Sequence, residues 1–237
     1  MPAVDMASGE ITGFARVAGP DEHLVGASVL SADFGTLAAE AGAVLACGAD
    51  ALHVDVMDGH FVPNLSMGPA VCASLRRHLP EALLDVHLMV ERPDQFIDAF
   101  VDAGANHVTI HIESPVNHRE VAGQIAARGC TAGIAVNPDT PVDRMLDLAD
   151  AFQLFLVMSV HPGYSGQSFI ADVLPKVEML RASLGSGVWI QMDGGVGPAT
   201  AQSCREAGCN MLISASAIYG SSDYEEVISA IRDGGPA

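Results

Sequence analysis

Eight short apolar runs, most of them rich in β-branched residues, recur along the chain with amphipathic stretches of helical period between them. The runs lie at 23–30 (HLVGASVL), 51–57 (ALHVDVM), 83–90 (LLDVHLMV), 107–113 (HVTIHIE), 131–137 (TAGIAVN), 153–160 (QLFLVMSV), 188–193 (VWIQMD) and 210–215 (NMLISA). Helical patterns are expected at 33–48, 93–104 and 171–184, the second opened by Pro93 and stopped at Gly104. The junctions CGAD (47–50), AGAN (103–106) and AGCN (207–210) resemble one another, each closing a helix at glycine before a new strand, a weak repeat of the βα unit. Strict alternation of strand and helix implies parallel strands. Eight such units in roughly 210 residues predict an α/β fold, a single-domain (β/α)8 TIM barrel. An open doubly wound sheet is the competing arrangement, but no GxGxxG turn follows the first strand.

Composition narrows the chemistry. With 49% hydrophobic and 17% charged residues, the chain is not disordered over most of its length. A net charge of -18 argues against a nucleic-acid or anionic-membrane partner. No segment is apolar enough for long enough to span a bilayer. The five cysteines are scattered with no CxxC pair, so neither a zinc ribbon nor a disulfide framework is expected. Residues 1–22 hold one Arg and no continuous apolar run, so they do not read as a signal peptide. The expectation is a cytoplasmic protein with a loosely ordered extension (1–22) before a catalytic barrel (23–237). Lys176 is the sole lysine; it falls in a helical pattern and not at a strand end, which argues against Schiff-base chemistry.

The segment ALHVDVMDGHFVPN (51–64) carries an imidazole and a carboxylate inside an otherwise apolar strand. Strand side chains alternate with period two, so His53 and Asp55 share a face. Barrel active sites form at the C-terminal strand ends, where the polar residues are Ser28, His53, Asp55, His87 and Asp193. Any one of these alone reads best as a hydrogen-bonded core residue. Two histidines and two carboxylates pointing inward together are costly to bury without a compensating charge, and a divalent metal supplies it. Imidazole and carboxylate donors suit Zn²⁺, Mn²⁺, Fe²⁺ or Co²⁺, and the lack of thiolate at these positions argues against the softest metals; Zn²⁺ is the expected ion. Asp58 precedes Gly59 and reads as turn chemistry. The loops HPGYSGQ (161–167) and SASAIYG (214–220) offer backbone N–H groups where this barrel often holds phosphate.

The segments ASVLSADF (27–34), LHVDVMDGHFVPN (52–64), DVHLMV (85–90), NPDTP (137–141), HPGYSGQSF (161–169) and MDGGV (192–196) resemble the ribulose-phosphate 3-epimerase family, in the family's order over residues 23 to 232. The resemblance implies a metal held by His53, Asp55, His87 and Asp193, with Asp55 and Asp193 as the acid/base pair. It implies a substrate site of Ser28, His87 and Met89 around the sugar, and Gly163, Tyr164, Ser165, Gly166, Gly194, Gly195, Ala215 and Ser216 around the phosphate. The implied reaction is epimerisation of D-ribulose 5-phosphate to D-xylulose 5-phosphate through an enediolate, by a homo-oligomer. The chain departs from the family pattern at His161 and Ser165, at Ala215, where glycine is usual, and at Gln191, where an acid is usual. These departures keep open another ketose phosphate, such as D-allulose 6-phosphate, and a sugar-phosphate binder without activity. A decarboxylase of the orotidine-phosphate type needs a DxKxxD lysine, and Met57 stands where it would fall.

Overall fold

The computed structural model describes residues 22–234. Except for Glu22, the expected N-terminal extension lies outside the described residues. The eight strands are β1 (Leu24–Ser28), β2 (Ala51–Met57), β3 (Leu84–Met89), β4 (His107–His111), β5 (Thr131–Val136), β6 (Leu154–Met158), β7 (Trp189–Asp193) and β8 (Met211–Ser214). All pair in parallel with their sequence neighbours, and β8 returns to β1 to close the barrel. The helices are α1 (Leu37–Ala46), α2 (Pro69–His78), α3 (Ile97–Asp102), α4 (His118–Ala127), α5 (Asp143–Leu146), α6 (Leu174–Leu184), α7 (Pro198–Ala207), α8 (Ser216–Tyr219) and α9 (Tyr224–Asp233). Among the described residues, no helix is long and apolar enough to cross a membrane.

The strands are buried on both faces, which is why they read as nearly continuous apolar runs. Period two sorts the faces. In β6, Phe155 and Val157 pack in the layer beneath the helices, while Leu154, Leu156 and Met158 join Leu24, Ala51, Leu83, Trp189 and Met211 in a separate cluster. That second cluster fills the barrel interior, so the barrel is a packed core and not a pore. Gly133 marks how tight the interior is: a Cβ there would lie 2.3 Å from Thr109 Oγ1 and 2.6 Å from His107 Nε2.

All three expected helices begin later than their patterns, that at 171–184 with a 3-10 turn (Ala171–Val173) ahead of α6. In 33–48 the first turn is taken by Asp33, whose carboxylate accepts from Gly35 N–H, and α1 starts at Leu37. Asp competes for backbone N–H groups and so favours turns over helix interiors. Pro93 opens a 3-10 turn (Pro93–Gln95), and α3 follows it. The three similar junctions are borne out, with Gly48, Gly104 and Gly208 all at positive φ. Each offers its carbonyl to an arginine from a helix: Arg232 to Gly48, Arg76 to Gly104 and Arg181 to Gly208.

Candidate active site

Strand register builds the site. Asp55 pairs with His87, His53 with Asp85, and Met57 with Met89, so inward side chains of β2 and β3 stack in matching rows. Asp193 ends β7 and Ser28 ends β1. His53 Nε2, His87 Nδ1, Asp55 Oδ1 and Asp193 Oδ2 converge there. His53 Nε2 lies 3.2 Å from Asp55 Oδ1, 3.4 Å from His87 Nδ1 and 3.9 Å from Asp193 Oδ2. His87 Nδ1 lies 3.0 Å from Asp55 Oδ1 and 3.8 Å from Asp193 Oδ2. Donors at about 2.0–2.2 Å around a tetrahedral Zn²⁺ stand roughly 3.3–3.6 Å from one another, which brackets the middle of this range. All four ligand atoms lie within 4.8 Å of one another, so the cluster can hold a metal ion.

Hydrogen bonds orient the donors. His53 Nδ1 is 2.7 Å from Asp85 Oδ2, which leaves Nε2 to face the cluster. A carboxylate behind a ligating imidazole is the usual arrangement in metal centres. Gln191 donates from Nε2 to the same Asp85 oxygen at 2.8 Å. Ser28 Oγ donates to Asp55 Oδ2 at 2.5 Å, so its hydroxyl points at the carboxylate.

The fields at the site drive the two aspartates apart. Burial works against ionisation of Asp55, but the His53 and His87 imidazoles against it hold its pKa well below the usual carboxylate range. Asp193 is pushed up to about 7, first by burial and then by the charge of Asp55. Burial opposes a charge on His53, yet Asp55 and Asp85 raise its pKa well above the ordinary value. That is the pull any cation feels at this point. His87 is lowered to about 4, with burial the main cause.

A cleft of about 190 Å³ opens above the cluster. Asp55 and Asp193 form part of its floor, Met57, Met89 and Met158 its apolar side, and residues 162–167, 194–197 and 215–217 its other end. Among the described residues, no Lys, Arg or His lines it. The expected residues Met89, Gly163, Tyr164, Ser165, Gly166, Gly194, Gly195, Ala215 and Ser216 all reach this cleft; Ser28, His53 and His87 lie buried beside or below it. Gly195 has φ 65°, and a Cβ on it would meet Phe169 N at 2.6 Å, so the turn over the cleft requires glycine. Ala215 has φ −114°, outside the left-handed region, so φ does not call for the family's usual glycine there. Ser165, at another departure from the family pattern, faces Ser31 with 2.5 Å between hydroxyl oxygens and ties the loop after β6 to the one after β1.

Asp58 is a turn residue as expected: Oδ1 accepts from His60 and Phe61 N–H, and Oδ2 from Glu91 N–H. Lys176 is likewise structural, its Nζ bonded to the carbonyls of Asn137, Pro138 and Thr140. The sequence reading missed Met57 and Met158 in the cleft, and Asp85, His111 and Glu113 behind it. Their signal was present: Asp85 and His87, like His111 and Glu113, repeat the period-two spacing of His53 and Asp55.

Comparison with known proteins extends this geometry. The model of the ribulose-phosphate 3 epimerase family matches residues 24–219. The chain is 45% identical over 213 residues to the ribulose-phosphate 3-epimerase of Bacillus subtilis (strain 168), covering 88% of this chain and 97% of that one. It is 44% identical over 209 residues to the cytoplasmic isoform of Oryza sativa subsp. japonica, covering 86% and 91%. Solved structures share the barrel at low identity. A KGPDC from Streptococcus mutans superposes with a TM-score of 0.68 at 10% identity, covering 90% of this chain and 96% of that one. With the barrel, the cluster and the glycine loops in one arrangement and a family match across nearly all of it, the chain belongs to the ribulose-phosphate 3-epimerase family.

Proposed function

We propose that the protein interconverts D-ribulose 5-phosphate and D-xylulose 5-phosphate by moving a proton at C3. The observation that carries this reading is the pair of aspartates on the cleft floor, one held ionised and the other raised to about 7. Inverting a carbon beside a ketone requires a base on one face and an acid on the other. Asp55, ionised and oriented by Ser28, takes the C3 proton. Asp193, which carries a proton below about pH 7, returns one to the opposite face of the enediolate. Two titratable groups pushed apart by their surroundings are the pattern that assigns such roles. Met57, Met89 and Met158 exclude water from the sugar, and the glycine loops and residues 215–217 receive the phosphate through backbone N–H groups.

His53, Asp55, His87 and Asp193 would hold one divalent ion, Zn²⁺ first, with Fe²⁺, Mn²⁺ or Co²⁺ as alternatives. As a Lewis acid it would stabilise the charge that develops on the substrate oxygens. Metal ligation and proton transfer compete at both aspartates, because a ligated carboxylate is a weaker base.

The test is isotope exchange. Protein loaded with Zn²⁺ or Mn²⁺ in D₂O is given ribulose 5-phosphate and, separately, allulose 6-phosphate, and NMR follows deuterium at C3. Exchange with the pentulose is expected. Exchange with the hexulose alone would keep the mechanism and change the substrate. Silence with both would leave a binder without activity.

A further inference from the structure

Behind His87, away from the cleft, stands a line of groups that the proposed reaction does not use. His87 Nε2 lies 2.8 Å from His111 Nε2, and the two rings stack at 5.0 Å between centroids and 23° between planes. His111 Nδ1 lies 3.1 Å from Glu113 Oε2. Glu113 Oε1 in turn accepts from Asn137 N–H at 2.9 Å. Phe61 packs on His111 with 4.8 Å between ring centroids, and both imidazoles are fully buried.

One assignment of protons satisfies every contact from Glu113 to His87. The Glu113 carboxylate can only accept, so His111 carries its proton on Nδ1. Its Nε2 then holds a lone pair and must accept from His87. His87 therefore carries its proton on Nε2, which leaves Nδ1 as a lone pair facing Asp55 Oδ1 and His53 Nε2. The opposite assignment, with His87 donating from Nδ1 to Asp55, would set the His111 Nδ1 lone pair against the Glu113 carboxylate. A buried pair of facing acceptors is costly, and of the two only the pair His87 Nδ1 and Asp55 Oδ1 belongs to the cluster where a cation would offset it.

We propose that Glu113, acting through His111, is a positioning residue that fixes His87 as the tautomer able to ligate a metal and so sets the affinity of the centre. This rests on the reading of the four-residue cluster as a metal centre. It gives His87 the same kind of support that Asp85 gives His53, here through the interposed His111 imidazole. Glu113 suits the part: it sits at the barrel rim, partly exposed, and its second oxygen is held by the backbone of the strand-β5 end.

The test compares metal-stripped wild type, Glu113→Gln and Glu113→Asp, each titrated with Zn²⁺ and Co²⁺ against a chromophoric chelator. A glutamine has one oxygen for the two N–H groups of His111 and Asn137, so one contact is lost or the His111 tautomer reverses. Affinity in Glu113→Gln should fall roughly 10- to 100-fold, the usual effect of removing an outer-sphere partner. The visible absorption of the Co²⁺ form should shift, and Glu113→Asp should recover part of both. Metal-free Glu113→Gln should melt below wild type, because the carboxylate's contacts to His111 and Asn137 stabilise the fold, so affinity and spectrum are the readouts that decide. Equal affinities and spectra across the three proteins would overturn the proposal, as would a lower metal-free melting temperature with unchanged affinity, which would make Glu113 a prop for the β5 loop. Failure of wild type to bind metal stoichiometrically would overturn the centre itself, a result distinct from equal binding by all three. Should Glu113→Gln not fold, Glu113→Asp carries the same comparison.

Discussion

Asp55 is enclosed on both oxygens: Ser28 Oγ donates to Oδ2, and His53 Nε2 and His87 Nδ1 face Oδ1. A hydrogen bond to a charged group contributes about 1.5–3 kcal/mol. Were all of it expressed in the barrier, Ser28→Ala would slow turnover roughly 10- to 150-fold. The expected result is a fall in kcat with KM little changed, since Ser28 does not line the cleft. A rise in KM alone would move Ser28 from orienting the base to holding the sugar. Asp55→Asn is expected to slow C3 deuterium exchange by about 10²–10⁴, the range for a lost general base. Exchange at the wild-type rate in that variant would remove Asp55 from the reaction.

At the scale of elements, basic side chains on the helices tie down loop carbonyls. The sole lysine, on α6, gathers three carbonyls of the loop after β5, at 2.9, 2.6 and 2.7 Å. Lys176→Met leaves that loop without its donor and should lower stability by about 1–3 kcal/mol in urea titration, the cost of unsatisfied polar groups. A change below the experimental error would mean water replaces the ammonium. Gly133→Ala forces a methyl against Thr109 and His107 and should cost about 1–3 kcal/mol, as overpacking of a barrel interior does. The strands and their order were legible because burial on both faces leaves continuous β-branched runs. So was the cluster, because His53, Asp55 and His87 break that apolar pattern at alternate positions. The residues behind it were not, because their roles depend on register: Asp85 matters by pairing with His53, and His111 by standing 2.8 Å from His87. Helix starts were also obscured, since Asp33 and Pro93 take the first turns for themselves.

For the whole molecule, the cluster couples stability to pH and to metal with opposite signs. In the metal-free protein Asp193 stands at about 7 against 3.8 for the free side chain. Between those values the native state keeps a proton that the unfolded chain has released, so the group's contribution falls as pH rises through this window and is level above it. Glu113 runs the other way: His111 and the backbone N–H of Asn137 outweigh burial and hold it at about 2 against 4.5. Its stabilisation is complete above about 4.5 and fades as pH falls toward 2. Urea titrations of metal-free wild type and Asp193→Asn, from about pH 5 to about pH 8, should therefore diverge, wild type losing ground to the variant until about pH 7. Parallel curves would mean Asp193 is ionised throughout. Adding Zn²⁺ should reverse the trend for wild type, because the ion displaces protons from its ligands and binds more tightly as pH rises. At 100 times Kd the ion adds about 2.7 kcal/mol, which for a chain of this size raises Tm by roughly 5–10 °C. The same addition should do much less for Asp193→Asn, whose amide is a poor ligand. An equal rise in both proteins would place the ion elsewhere and leave the two aspartates to move the proton unaided.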